Sequence, residues 1–331
     1  MEIWSYIKEH DKGKTNFHFE VAADLLNEEE LNLISTIRPG LIQLEIGVQS
    51  TNEQTIKEIH RTMKFSQVTE VVNRVHAAKN IHQHLDLIAG LPFEDYNSFH
   101  KSFCDVYALK PEQLQLGFLK VLKGSYMEEK TKDYELLYQN RPPYEVLSTK
   151  WLPYSDVIRL KGLEEMVEVY YNSRQFEHTM ELLEQVFGDA FVMFEEMSNY
   201  YEEHGYYGMN HNRVARYEIL YAFIKEVALV QYETLLTEEQ FRQTLVMDLY
   251  LRENMKNRPA FAGDSLVSKE VERTFYDTEA EEHQYLKGYE KYDKRQLRKM
   301  THLENLDGHL ILFDYQNRNP LTNQATTYEV I

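Results

Sequence analysis

The residues best suited to chemistry in this sequence are polar side chains set inside, or just after, apolar runs. Asp86 lies within the run LDLIAGLP, and Glu20 lies within FHFEVA. Gln49 follows LIQLEIGV, and Arg61 comes a short distance later. A carboxylate in an apolar strand costs several kcal/mol unless it is paired or hydrogen-bonded. These residues either converge on a polar ligand or are simply satisfied strand-end residues, and their spacing alone leaves both interpretations open.

An alternation of strands and helices must position these side chains. The patterns of apolar residues predict a first helix over 2–10, strands over 16–22, 41–48, 81–89 and 113–121, and intervening helices over 27–37, 52–59, 66–79 and 96–108. Strands separated by helices indicate parallel pairing through right-handed crossovers. An open doubly wound sheet and a TIM-type barrel both satisfy this pattern, and both collect ligands at the carboxyl ends of their strands.

The character of the chain changes after about residue 122. A loop region with several prolines is followed by predicted helices over 155–172, 176–203, 213–232, 237–255 and 269–286. The last segment, from residue 309 to the end, has the pattern of a strand, a polar turn and a second strand. The second half is therefore predicted to be mainly helical and to end in a β-hairpin.

Composition and charge exclude several classes of protein. With 331 residues, 43% of them hydrophobic, the chain can form a substantial core, but no apolar run approaches the roughly 20 residues of a membrane span. The N-terminus has no apolar signal region. A net charge of -18 opposes nucleic-acid binding, and the basic stretch at 291–299 favours a solvated helix face. The single cysteine, Cys104, fits a cytoplasmic location.

Three separated blocks of the first 122 residues resemble the radical S-adenosylmethionine (SAM) superfamily. They are FHFEVAADLL, the G-V-Q block with its following helix and arginine, and the D-L-I-x-G-L-P block. The order matches oxygen-independent coproporphyrinogen dehydrogenases and Elongator-type enzymes. The stretch RPPYEVLSTKWLPYSDVIRL resembles the C-terminal region of cobalamin-binding-type radical SAM proteins. The resemblance implies a partial TIM-type barrel over 1–125, a mainly helical domain over 126–307, and a β-hairpin over 308–331 packed on the preceding domains.

The resemblance also implies roles in binding the cofactor SAM. Glu20 would bind the methionyl amino group, and Arg61 would pair with the methionyl carboxylate. Gln49 and Asp86 would contact the ribose and nearby groups. The pocket near the adenine would be shaped by Gly90, Leu91 and Pro92. These assignments fit the chemistry, because carboxylates suit an ammonium group and a guanidinium suits a carboxylate through two parallel hydrogen bonds. No residue of this chain is assigned a catalytic role.

The chain departs from the superfamily in its cysteines. A radical SAM enzyme holds a [4Fe–4S] cluster on three cysteines spaced C-x3-C-x2-C, whereas this chain has only Cys104. The chain also starts after the point where the first two barrel strands and a B12-binding domain would lie. The resemblance therefore implies a fragment, inactive alone, of an enzyme that cleaves SAM to a 5′-deoxyadenosyl radical and could use cobalamin for methyl transfer. The substrate would be a small molecule that the sequence does not name.

Two rival functions stay open at this stage. The first is a non-catalytic module that binds a small molecule or a protein on a TIM-like scaffold. The second is a TIM-like lyase or hydrolase that uses Glu20 and Asp86 as acid and base. His82 and His84 alternate on one strand, but no third ligand follows nearby, so they are interpreted as a barrel-facing polar pair without metal.

The absence of two barrel strands would affect how the chain associates. The strand over 16–22 would be left as an exposed edge, and an exposed edge invites pairing with another chain. The sequence therefore predicts self-association through this edge.

Overall fold

The computed structural model describes residues 2–331. The chain forms two compact units: residues up to 172 together with 189–205, and residues 173–188 together with 206–331. Within the described residues, no helix combines the length and the apolar character needed to cross a membrane. The domain boundaries implied by the resemblance are not tested by this division and stay a prediction.

The first unit is built on a parallel sheet of four strands in the order β1-β2-β3-β4. The strands are β1 (Phe17–Val21), β2 (Ile42–Gln49), β3 (His82–Ala89) and β4 (Gln113–Phe118). A doubly wound sheet reverses its strand order at a switch point, whereas barrel strands follow one another in sequence. The consecutive order is that of a barrel segment, so the predicted α/β class with a partial TIM-type barrel is confirmed.

Helices connect these strands as the sequence predicts. They are α1 (Glu2–His10), α2 (Glu28–Ile34), α3 (Glu53–Glu58), α4 (Phe65–Ala77) and α5 (Tyr96–Tyr107). Asn27 forms a capping box with Glu30, and the side chains of Asn52 and Asp95 cap α3 and α5. Such caps satisfy backbone N–H groups that have no partner inside a helix. Local capping chemistry therefore fixes where these helices begin.

The two faces of the sheet differ in chemistry. On β2, the alternate residues Ile42, Leu44, Ile46 and Val48 are fully buried. The residues between them, Gln43, Glu45, Gly47 and Gln49, are only partly buried. Successive strand residues point to opposite faces, so one face is apolar and the other is polar. The polar face carries the candidate site residues.

The remainder of the first unit follows β4. It contains α6 (Tyr126–Glu129), a short antiparallel pair of β5 (Leu137–Tyr138) and β6 (Val146–Ser148), and α7 (Tyr154–Met166), which runs on as a π-helix to Asn172. An apolar cluster forms around Leu91, Leu119, Val121, Tyr134 and Val146. The region predicted as loop is therefore anchored by a small core of its own.

The prediction of one long helix over 176–203 is wrong. Two helices occupy this range, α8 (Glu177–Phe187) and α9 (Ala190–Glu203). Gly188 adopts φ +65° at the end of α8, and the Asp189 side chain accepts a hydrogen bond from Val192 N at the start of α9. A glycine in the left-handed region terminates a helix, and an aspartate in the next position starts another.

The second unit contains α8 and further helices followed by a small sheet. Its helices are α10 (Arg213–Phe223), which continues as a π-helix, α11 (Leu229–Gln231), α12 (Glu238–Arg252), α13 (Lys269–Glu282) and α14 (Lys294–Met300). An antiparallel sheet of β7 (Thr301–Leu306), β8 (His309–Arg318) and β9 (Ala325–Val330) closes the chain. The predicted terminal hairpin corresponds to β8 and β9, whereas α14 and β7 were not predicted.

Candidate functional site

The polar face of the parallel sheet brings charged residues of three strands into adjacent rows. Glu20 pairs in register with Glu45, which pairs with His84. In the next row, Gly47 pairs with Asp86. Because neighbouring strands lie about 4.8 Å apart, side chains in these rows can interact directly. The register places Glu20 and Asp86 on the same face, as the sequence interpretation requires.

The carboxyl end of β2 carries a bulge that repositions Gln49. The strand register shifts between Gly47 and Gln49, and Gln49 adopts φ +69°. A Cβ atom at position 47 would lie 2.6 Å from Gln49 Nε2 and 3.4 Å from Arg61 Nη1. The amide of Gln49 and the guanidinium of Arg61 therefore lie over Gly47, in space that only a glycine leaves open. Bulges commonly redirect a side chain in this way near functional sites.

Arg61 lies just beyond α3 and is exposed to solvent. Its backbone N–H donates to Ile56 O at 3.0 Å, which holds the turn after the helix. Within residues 2–331 its guanidinium makes no ion pair with a carboxylate. It lines two cavities, of about 480 Å³ and 250 Å³, at the carboxyl ends of β1 and β2. A guanidinium in this setting can bind an external carboxylate through two hydrogen bonds.

Asp86 carries the most perturbed carboxyl group of the polar face. Burial, and then the charge and hydrogen bonding of Glu45 and the charge of Glu20, raise the pKa of Asp86 to about 7. Its Oδ1 atom is buried and makes no hydrogen bond with any described residue. A carboxyl group with this pKa holds its proton for part of the time at neutral pH. Asp86 can therefore either donate a hydrogen bond to a ligand or accept one.

Glu20 lies on β1, at the edge of the sheet, and is exposed. Its charge contributes to raising the pKa of Asp86, so the two carboxylates interact electrostatically across the face. An exposed carboxylate at this edge can bind a cation such as an ammonium group. Glu20, Asp86, Gln49 and Arg61 thus belong to one face and one end of the sheet.

The segment Gly90–Pro92 has different surroundings. Gly90 has φ +86°, and a Cβ atom there would lie 2.8 Å from Val146 Cγ1. Leu91 packs in the apolar cluster with Leu119 and Val146. Pro92 O accepts a hydrogen bond from Thr55 Oγ1 at 2.9 Å. The contacts of these three residues are with β6 and α3, and the predicted role near an adenine stays a prediction.

A buried carboxylate that the sequence interpretation missed connects the loops after β2 and β3. Glu94 is 1% exposed, and its Oε1 accepts hydrogen bonds from Ser50 Oγ at 2.6 Å and Ser102 Oγ at 2.9 Å. Burial raises the pKa of Glu94 to about 7. Asn52 Nδ2 adds a bond to Phe93 O at 3.0 Å. This network fixes the loops that follow Gln49 and Gly90.

Cys104 lies half-buried on α5, next to an acidic side chain. Its Sγ is 3.5 Å from Asp189 Oδ1, and His100 Nε2 is 2.8 Å from Asp189 Oδ2. Burial, then the Asp189 charge, raise the pKa of the thiol to about 11, so it is protonated at neutral pH. Iron–sulfur clusters require several thiolates. The residues present therefore do not fit a [4Fe–4S] cluster.

Comparisons with known proteins give one family match and partial structural similarities. A family model described as "Protein of unknown function (DUF4080)" matches residues 132–328. No curated protein matches the chain.

The solved structures with similarity overlap only part of this chain. Coproporphyrinogen III oxidase (HemN) from Escherichia coli, a radical SAM enzyme, is 16% identical, with 48% of this chain and 34% of that chain covered and a TM-score of 0.37. Archaeal Elp3 from Methanocaldococcus infernus is 19% identical, with 36% of this chain and 28% of that chain covered and a TM-score of 0.32. The radical SAM methyltransferase TsrM from Kitasatospora setae, with cobalamin and a [4Fe–4S] cluster bound, is 11% identical. The match covers 46% of this chain and 31% of that chain, with a TM-score of 0.35. The chain thus spans about a third or less of each structure's length.

Proposed function

We propose the following function for this chain, which belongs to the DUF4080 family of proteins of unknown function. The chain supplies SAM-binding residues of a radical SAM enzyme, and the iron–sulfur cluster of that enzyme is held by cysteines outside these 331 residues. The observation that carries the proposal is the convergence of Gln49 and Arg61 over Gly47, with Asp86 in register beside Gly47. These residues come from the G-V-Q, arginine and D-L-I-x-G-L-P blocks.

Each side chain would have a distinct binding task. Arg61 would direct two N–H groups at the methionyl carboxylate, and Glu20 would accept hydrogen bonds from the methionyl ammonium group. The Gln49 amide and the Asp86 carboxyl would hold ribose hydroxyl groups. When bound, SAM supplies a sulfonium group whose reductive cleavage yields a 5′-deoxyadenosyl radical. In this proposal the residues of this chain bind and orient SAM, and none of them is given a bond-forming or bond-breaking step.

The proposal includes inactivity of the chain on its own. One protonated thiol cannot replace the three thiolates of a cluster, so the chain has no means of delivering the electron that cleaves SAM. Cobalamin-dependent methyl transfer is proposed for the whole enzyme only, since no residue of this chain is assigned to cobalamin. The substrate is proposed to be a small molecule that binds on the same polar face.

Calorimetric titration with SAM and with S-adenosylhomocysteine tests the proposal. We expect the chain to bind both, and Arg61→Met to weaken binding about tenfold or more, which corresponds to about 1.4 kcal/mol. Arg61→Lys should also weaken binding, because an ammonium group cannot make two parallel hydrogen bonds to a carboxylate. Lys64→Met is the matched control, since Lys64 lines the same cavity as Arg61.

Two results would contradict this binding model. One is a wild-type chain that binds neither nucleoside. The other is an equal loss of affinity in Lys64→Met and Arg61→Met, which would indicate general attraction of anions rather than a specific contact.

One observation favours a second candidate function. A pKa of about 7 at Asp86 is suited to general acid–base catalysis at neutral pH, as a lyase or hydrolase requires. In that case the chain alone, without added iron, would show a pH-dependent activity that Asp86→Asn abolishes. An activity screen of the iron-free chain with carbonyl and glycoside substrates separates this candidate from the binding function, which predicts no turnover.

A further inference from the structure

A group of potential metal ligands lies on the polar face, on three neighbouring strands. His18 comes from β1, Glu45 from β2 and His84 from β3. One ring nitrogen of each histidine and one carboxylate oxygen of Glu45 lie within 4.8 Å of one another. His18 Nε2 is 2.7 Å from Glu45 Oε2. The two imidazole rings are inclined by 30°, with their centroids 6.5 Å apart.

His84 shows an unsatisfied polar atom at this position. His84 is 6% exposed, and among residues 2–331 its Nε2 atom makes no hydrogen bond. Asp86 Oδ1 lies 3.2 Å away and is likewise buried without a hydrogen bond. Nearly all buried polar atoms in proteins have a partner, and an exception indicates a missing ligand, water or ion. The nitrogen and oxygen atoms here are the donor types that a transition-metal ion uses.

We infer that His18, Glu45 and His84 bind one divalent first-row transition-metal ion, with Asp86 as an adjacent oxygen donor. Two imidazoles and a carboxylate form a ligand set found for Zn²⁺ and for Fe²⁺. Mg²⁺ and Ca²⁺ prefer oxygen ligands only, so they do not fit two nitrogen donors. The ion would join the edge strand β1 to β2 and to β3 on this face.

The pairing of strands, not the sequence order, assembles this group. His82 lies two residues from His84 on the same face and is not part of the group, whereas the other two ligands, His18 and Glu45, come from β1 and β2. Asp86 belongs to both proposals, but His18, Glu45 and His84 have no task in SAM binding, and Arg61 and Gln49 take no part in the metal site.

A second group of residues on α5 and α9 is a weaker candidate. His100, Cys104 and Asp189 also have ligand atoms within 4.8 Å of one another. In this group, however, Asp189 already accepts hydrogen bonds from His100 and from Val192 N at the start of α9. Unlike His84, no member of this group has a buried side-chain nitrogen or oxygen atom that lacks a hydrogen bond among the described residues.

Equilibrium dialysis of the full chain against Zn²⁺, with Co²⁺ absorption spectra as a second measurement, tests the inference. We expect one equivalent of ion in the wild type, and at least tenfold weaker binding in His18→Asn and in His84→Asn. His18 is exposed, so His18→Asn should fold normally, which circular dichroism would verify. Cys104→Ser is the matched control and should bind as the wild type does. The Co²⁺ spectrum should contain no thiolate charge-transfer band.

Three outcomes would overturn the inference. The first is the absence of stoichiometric binding in the wild type. The second is unchanged affinity in His18→Asn. The third is loss of the ion in Cys104→Ser together with a thiolate band, which would place the ion in the group of His100, Cys104 and Asp189. Arg61→Met should keep the full metal affinity, so failure of the metal site and failure of SAM binding are distinguishable.

Discussion

Asp248 of the second unit and Asp86 of the first unit are two buried carboxylates in different surroundings. In the second unit, Asp248 is 2% exposed and accepts four hydrogen bonds, from the backbone N–H and side chain of His178 and of Thr179. On the polar face of the first unit, buried Asp86 Oδ1 makes no hydrogen bond with any described residue. Asp248 is therefore held by its own protein, whereas Asp86 Oδ1, 3.2 Å from His84 Nε2, is proposed to contact a ligand.

Two arginines, one from each unit, differ in a similar way. Arg258 of the second unit pairs with the buried carboxylate of Glu304 and donates to Gly263 O and Ala262 O. Arg61 of the first unit is exposed and makes no ion pair within residues 2–331. A buried charge that the protein pairs indicates a structural role, whereas an exposed guanidinium that lines a cavity can bind an external anion. The distinction can be tested by substitutions that remove matched charges in the two units.

The largest effect is expected from Asp248→Asn. The substitution removes the charge that four donors surround, and breaking such a buried network typically costs about 3–5 kcal/mol. Asp86→Asn should leave the free energy of unfolding unchanged or raise it slightly, because it removes repulsion from Glu45 and Glu20. Urea denaturation at pH 7 with a chelator present measures both. An equal loss of unfolding free energy in the two variants would contradict the comparison, since Asp86 would then be a structural residue as well.

A pH-dependent effect of up to about 3 kcal/mol is expected from Glu94. Its folded-state pKa of about 7 lies above the ordinary value of 4.5, so folding favours the protonated form. The stabilising contribution is therefore complete below pH 4.5 and is lost as the pH rises through 7. Glu94→Gln keeps an oxygen acceptor for Ser50 and Ser102 without titrating.

The measurement compares wild type with Glu94→Gln in urea denaturation between pH 5 and pH 8. The wild type should lose stability relative to the variant as the pH rises. A constant difference across this range would show that Glu94 is ionised in the folded protein, and the network after β2 and β3 would then resemble the satisfied charges of the second unit.

The smallest effect concerns the edge of the sheet. Phe17 N donates to Leu41 O, so the N–H group of Glu20 points away from β2, because strand N–H groups alternate in direction. We predict self-association through this edge in sedimentation velocity. Glu20→Pro removes one outward donor and should weaken association about fivefold, equivalent to about 1 kcal/mol for one hydrogen bond. A wild-type chain that stays monomeric at all concentrations would contradict the prediction.

Local sequence patterns account well for the parallel sheet and its helices. Alternation of apolar residues located β2, and Asn27 and Asn52 marked helix starts. The end of one helix at Gly188 was missed because the apolar pattern continues across the break. Strand β7 was missed because THLENL carries only two strongly apolar residues.

The candidate site was predictable only in part. Glu20, Gln49, Arg61 and Asp86 carry motif signals, and the structure places them at one end of one face. The role of Glu94 depends on contacts with Ser50 and Ser102 that no local pattern encodes, although its position two residues after the Gly-Leu-Pro turn is a signal. The grouping of His18 with Glu45 and His84 depends on strand register, which is a property of the assembled sheet.

Gly47 offers a means of separating recognition from folding in this protein. The atom that a methyl group at this position would meet most closely is the end of the flexible Gln49 side chain, not backbone. An alanine here would push the Gln49 amide aside while the strand kept its path. One added carbon would therefore disable the proposed SAM-binding end of the sheet and leave the scaffold intact for genetic complementation.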